Sequence, residues 1–138
     1  MAESESFPAA ERFHGIIAFM ADDSDFTLDE ATARLRKTFP DRTVTRTGHG
    51  IRVTATGWVL WLDYSDRPHV VEESKEMAVW SAGHPLAAHI AGCKQRIEFS
   101  GTDIEPGGEC FGDLCRAAEV LAGFRGVIVF DINERSEF

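Results

Sequence analysis

Ile51-Arg52-Val53-Thr54-Ala55-Thr56-Gly57-Trp58-Val59-Leu60-Trp61-Leu62-Asp63-Tyr64 is the stretch that decides the fold. Ile51, Val53 and Ala55 alternate with Arg52 and Thr54, the period-two pattern of a strand with one buried and one wet face. Thr56-Gly57 turns the chain, and the apolar run from Trp58 to Tyr64 suits a central strand. Upstream, Arg42 to Arg46 reads as a further strand, joined to Ile51–Ala55 through the hairpin turn Gly48-His49-Gly50. Meander pairing of these three neighbours is the simplest arrangement.

Toward the N-terminus, Gly15 to Met20 reads as a buried strand ended by Asp22-Asp23-Ser24-Asp25. Thr27-Leu28-Asp29-Glu30 fits a capping box, in which Thr27 accepts from the Glu30 N–H and Glu30 reaches back. Leu28, Ala31, Leu35 and Phe39 then form one face of a helix that Pro40 terminates. Residues 1–11 are polar, contain Pro8 and are expected to be a frayed tail. Toward the C-terminus, Asp66-Arg67-Pro68 opens a second helix, with Asp66 as cap and Gly83-His84-Pro85 as stop. Its inward residues are Val70, Met77 and either Ser74 or Ala78.

Leu86 to Ala91 fits either a helical turn or a strand, Arg96 to Phe99 alternates as a strand, and Thr102 to Gly108 is a loop. Phe111, Leu114, Cys115, Ala118 and Leu121 mark a third helix, ended by Gly123 or Gly126, and Val127 to Phe130 is a last buried strand. The order β-α-β-β-β-α-β-α-β predicts an α+β two-layer sandwich: a mixed, largely antiparallel sheet of five to six strands with helices packed on one face. Residues 12–138 make one such domain, since 138 residues are one domain's worth of chain.

Fourteen Lys and Arg against 23 Asp and Glu leave a net charge of −9. That balance argues against nucleic-acid binding, where cations must neutralise phosphates. It suits solubility or a basic partner. The charge is uneven: net −7 over residues 1–30, +5 over 34–52 and −7 over 53–138. The longest apolar run, Trp58 to Leu62, is far short of the ~20 residues of a membrane span. The first residues lack a basic and apolar leader, so a cytoplasmic location is expected. There Cys93, Cys110 and Cys115 stay reduced.

Few motifs carry chemistry. Cys110 and Cys115 lie about 140° apart around a helix and do not converge on a metal. Cys115, on the apolar stripe, reads as a small buried hydrophobe. His14, His49, His69, His84 and His89 accompany no nucleophile elbow or catalytic cysteine signature. The carboxylates are more informative. Asp22, Asp23 and Asp25 follow the first strand, Asp63 and Asp66 the tryptophan strand, and Asp103 and Glu105 the Phe99 strand. If those strands run parallel, their ends gather hard oxygens at one edge, where they would hold Mg²⁺ or Ca²⁺, or face a basic protein. Asp residues beside turns also simply satisfy loop backbone. Of the basic segment, Arg36 and Lys37 suit a helix C-terminus, while Arg46 and Arg52 suit a solvated sheet surface or a small anion site.

Cys93-Lys94-Gln95-Arg96-Ile97-Glu98, Phe111-Gly112-Asp113, Glu119-Val120-Leu121 and Gly126-Val127-Ile128-Val129-Phe130-Asp131 resemble a group of small bacterial proteins of unknown function. The likeness covers the last third and the tryptophan strand; it implies a fold and a bacterial origin but no site residues. Size, acidity and α+β build are also similar to immunity proteins of polymorphic toxin systems. The expectation is therefore a non-enzymatic domain without cofactor. It would meet a basic protein partner, such as a toxin domain, through Asp22, Asp23, Asp63, Asp66, Glu72 and Glu73. The alternatives are a carboxylate-based divalent-metal enzyme and a ligand-binding accessory protein that uses the Arg34–Arg52 segment.

Overall fold

The computed structural model describes residues 16–80, 83, 87–102, 109–131, 134 and 136–138. The expected tail over 1–11, together with His14, His84, Asp103 and Glu105, lies outside them. The elements are β1 (Ile16–Met20), α1 (Leu28–Thr38), β2 (Thr43–Arg46), β3 (Gly50–Ala55), β4 (Trp58–Ser65), α2 (Pro68–Trp80), α3 (Ala87–Ala91), β5 (Gln95–Gly101), α4 (Glu109–Ala122), β6 (Val127–Asp131) and β7 (Ser136–Glu137). One sheet runs β2-β3-β4-β5-β1-β6-β7, with every neighbouring pair antiparallel. The α+β class and the β2-β3-β4 meander are as the sequence leads one to expect; the two-residue β7 adds a seventh strand.

The helices are split between the two faces rather than gathered on one. α1 and α4 bury Leu35, Leu114 and Leu121 against Ile16, Ala18, Met20, Leu60, Leu62, Ile97 and Phe99. On the other face Ile90 and Cys93 meet Ile17, Phe19 and Phe130, with Met77 and Ala78 of α2 packed against them. The physical reason is β1 itself. All five of its residues are buried, and a strand that is apolar on both sides needs cover on both. Of the stretch that fits either a helical turn or a strand, Ala87–Ala91 is helix, α3, and Leu86 lies outside the described residues.

Local details follow residue chemistry. Thr27 Oγ1 accepts from the Glu30 N–H at 3.1 Å, closing half of the capping box. Glu30 does not reach back; its carboxylate takes Arg34 one turn ahead at 3.1 Å. α2 begins at Pro68, two residues beyond Asp66, so Asp66 is displaced from the capping position expected of it. Gly50 is required by close approach, because a Cβ there would collide with the Leu62 carbonyl. Gly57 turns the β3–β4 hairpin with a φ of 93°.

The core stripe of α4 is rotated from its expected position. Cys110, Asp113, Leu114, Ala117, Ala118 and Leu121 are buried, whereas Phe111 and Cys115 lie half-buried on the flank. Cys115 is therefore no core hydrophobe: it lines a cleft between α4, β6 and the C-terminus. Asp113 at a core position is partnered by Arg42, whose Nε donates to Oδ2 at 2.9 Å. The same guanidinium lies 5.3 Å from the Trp58 ring centroid.

Candidate functional site

β1 and β4 each pair antiparallel with β5, so they run parallel to one another and end at one edge of the sheet. Met20 is opposite Gln95, and Ser65 opposite Arg96. The segments that follow, Asp22-Asp23 and Asp66, therefore emerge about 10 Å apart, two strand spacings. All three residues are exposed.

The first of these segments is well pinned. The Ala21 N–H donates to the Gly126 carbonyl at 2.9 Å. Asp25 Oδ1 accepts from the Arg125 N–H at 2.8 Å. The Arg125 guanidinium in turn donates to the Asp23 carbonyl at 2.9 and 3.3 Å. Asp22 lies 3.4 Å from Lys94 Nζ, both side chains about two-thirds exposed, a pair that is largely screened. Asp66 is close enough to Tyr64 to add to the upward push that burial gives its phenol.

Glu72 and Glu73 stand one turn into α2 but do different things. Glu72 is exposed. Glu73 turns to the sheet, where Arg96 Nη2 donates to it at 2.5 Å. Arg96 also meets Glu98 at 2.9 Å, and its side chain is only 5% exposed between these two half-exposed carboxylates. Asp63 is opposite Glu98 in the β4–β5 ladder. Like charges across a ladder repel, and Arg96 offsets that repulsion. The six candidate residues thus divide: Asp22, Asp23, Asp66 and Glu72 form an exposed acidic edge, while Glu73 belongs to a structural ion cluster and Asp63 faces that cluster's Glu98.

β5 runs opposite to β1 and β4, so its C-terminal end points to the far edge. The parallel arrangement on which a three-strand carboxylate cluster depended is therefore not the one adopted. Among the described residues no group of three His, Cys, Asp or Glu is placed to hold a metal ion. His49 and His69 are exposed. Among the described residues His89 Nε2 and Ser74 Oγ are buried without hydrogen-bond partners, so neither positions the other for proton transfer. The Cys93 thiol donates to the His89 carbonyl at 3.1 Å. Burial, helped by the Asp22 charge, pushes its pKa up to about 12, the opposite of an activated nucleophile.

No family model matches the chain, and neither a curated protein nor a solved structure is significantly similar to it. Among the described residues no helix is long and apolar enough to cross a membrane.

Sequence reasoning missed both buried ion pairs. A signal for Asp113 exists: it falls in register with Cys110, Leu114 and Ala117, so it had to be buried and paired. Arg96 carried a weaker one. In Arg96-Ile97-Glu98-Phe99 the charged positions read as the wet face, until the continuous burial of β1 shows that this face is covered too.

Proposed function

We propose that this chain is a non-enzymatic binding domain that presents the edge formed by Asp22, Asp23, Asp66 and Glu72 to a basic protein surface. An immunity-like protein that blocks a basic toxin domain is the specific version of this reading. The observation that carries it is the common edge at which β1 and β4 end, with four exposed carboxylates there or one turn into α2. Lys94 answers Asp22 and Arg67 follows Asp66 in sequence, so acidic groups outnumber their nearest cations. The net charge of −9 reinforces the local field.

Such an interface works through encounter. Exposed charges raise the association rate at low salt and lose that effect as the Debye length falls to ~10 Å at 0.1 M. The test is a pull-down from a lysate of the source cells, with the wild type beside Asp22→Lys/Asp23→Lys/Asp66→Lys. The reading expects a basic protein captured by the wild type alone, with an on-rate that falls as salt rises. A divalent-ion rise in Tm that Asp63→Asn abolishes, with no protein captured, would overturn it in favour of metal-dependent chemistry.

A further inference from the structure

The segment between Arg34 and Arg52 is the one basic stretch of an acidic chain, and the structure accounts for most of it internally. Arg34 pairs with Glu30 and lies 3.9 Å above the Phe124 ring. Arg36 donates to the Val44 carbonyl at 3.1 and 3.2 Å, tying α1 to β2. Arg42 holds Asp113, and Arg46 lies 3.5 Å from Asp29. Arg52 is the exception: it is half-buried, and among the described residues its side chain has neither an ion-pair nor a hydrogen-bond partner.

Its surroundings are specific. Arg52 is directly opposite Trp61, and Thr54 directly opposite Val59, all four on one face of the β3–β4 pair. With Gly57 and Trp58 they line a cleft of about 510 Å³ at the hairpin end, within the ~300–1,000 Å³ typical of small-molecule sites. At Gly57 the space a Cβ would occupy is open. Among the described residues no carboxylate lines the cleft, and Arg52 is the one charged residue there.

We infer that this cleft is a binding site for a small, flat, apolar molecule carrying one anionic group. Arg52 takes the carboxylate or phosphate through its fork of N–H donors. The apolar body lies between Trp61 and Val59, where an aromatic ring gains by stacking. The Thr54 hydroxyl is available to a polar substituent. This site is independent of the acidic edge: it selects an anion, whereas that edge selects cations.

Naphthoate, its neutral isostere naphthamide and inorganic phosphate are the probes, read by calorimetry and by amide shifts of the isotope-labelled chain. Saturable binding of naphthoate with shifts over Arg52 to Trp61 is expected, with naphthamide at least about tenfold weaker for lack of a charge-assisted hydrogen bond. Arg52→Gln, a substitution on a solvated strand face, should erase that difference while leaving the melting temperature unchanged. The inference fails if naphthoate moves no amides there at millimolar concentration, or if Arg52→Gln binds it as well as the wild type does. It fails equally if phosphate alone binds as tightly as naphthoate, since the apolar walls would then contribute nothing.

Discussion

The face of the sheet under α1 and α4 and the face under α2 and α3 are held by different balances of the same forces. The first buries a broad apolar layer from Val44 and Val53 across to Val129, and among the described residues its one buried charge is an anion, Asp113, matched by Arg42, whose side chain is 26% exposed. Among the described residues the second has a smaller cluster, Ile17, Phe19, Ile90, Cys93 and Phe130, and its buried charge is a cation, Arg96, between carboxylates that reach water. What matters for each pair is which partner is desolvated. Deleting the solvated member strands a buried charge, while deleting the buried member returns the others to water.

The first face should give the largest losses. Leu114, fully buried in the middle of the α4 stripe, should cost about 2–5 kcal/mol on truncation to Ala, from lost burial and the cavity left behind. Such a loss is a large part of the ~5–15 kcal/mol available to a domain of this size. A shift in denaturant midpoint worth less than ~1 kcal/mol would mean that α4 is held by its flanks instead.

Arg42→Ala follows closely. It leaves the Asp113 carboxylate buried without its cation, at a cost of about 3 kcal/mol, the lower end for a broken buried pair because Arg42 is partly in water. In the double variant with Asp113→Ala the loss should be smaller than the sum of the two singles, and strict additivity would show that the pair is not coupled.

On the second face the signs differ. Glu73→Gln with Glu98→Gln removes both anions from a guanidinium whose Nη1 already lacks a partner, and should cost about 1–3 kcal/mol. Arg96→Met should stay within ~1 kcal/mol of wild type, since the freed carboxylates are solvated and the new side chain is apolar. A loss above ~3 kcal/mol in Arg96→Met would mean that the ion cluster, not the apolar one, fastens α2 and α3. Hydrogen exchange gives a second measure of the same contrast. Amides of α2 and α3 should exchange ahead of those in α1 and α4, because among the described residues fewer buried apolar groups hold them.

This contrast also explains what could be read in advance. Periodicity located α1 and β3, because each of those patterns reports a single buried face. It failed where burial is two-sided. Ile16–Met20 contains no alternation, so its second layer of helices had to be inferred from continuity alone. The apolar stripe Phe111, Leu114, Cys115, Ala118 and Leu121 lies about one residue from the buried face of α4, because that face includes a charged residue, Asp113, beside Cys110, Leu114 and Ala117. At the acidic edge, local sequence supplied the residues, but whether strand ends coincide depends on strand order, which joins β5 to β1 across the 74 residues between Met20 and Gln95. The Arg52 cleft shows the same limit, since a cation's lack of a partner is a fact of tertiary structure.

The smallest effect is one of pH, and it sits at the boundary of the second face. Cys93 is fully buried beside Ile90 and the Asp22 charge, and its pKa is pushed from 9.0 to about 12. At neutral pH both folded and unfolded chains carry the neutral thiol, so this group contributes no pH dependence there. Above about pH 9 the unfolded chain releases a proton that the folded chain keeps, and stability falls with a slope approaching ~1.4 kcal/mol per pH unit until the folded thiol titrates. Cys93→Ala should lose that component of the alkaline slope while showing the same flat profile near neutrality. In the native wild type at pH 8, alkylation should reach half-exposed Cys115 well before Cys93. Prompt labelling of Cys93 would mean that α3 opens readily, and the contrast between the two faces would then be one of dynamics as much as of packing.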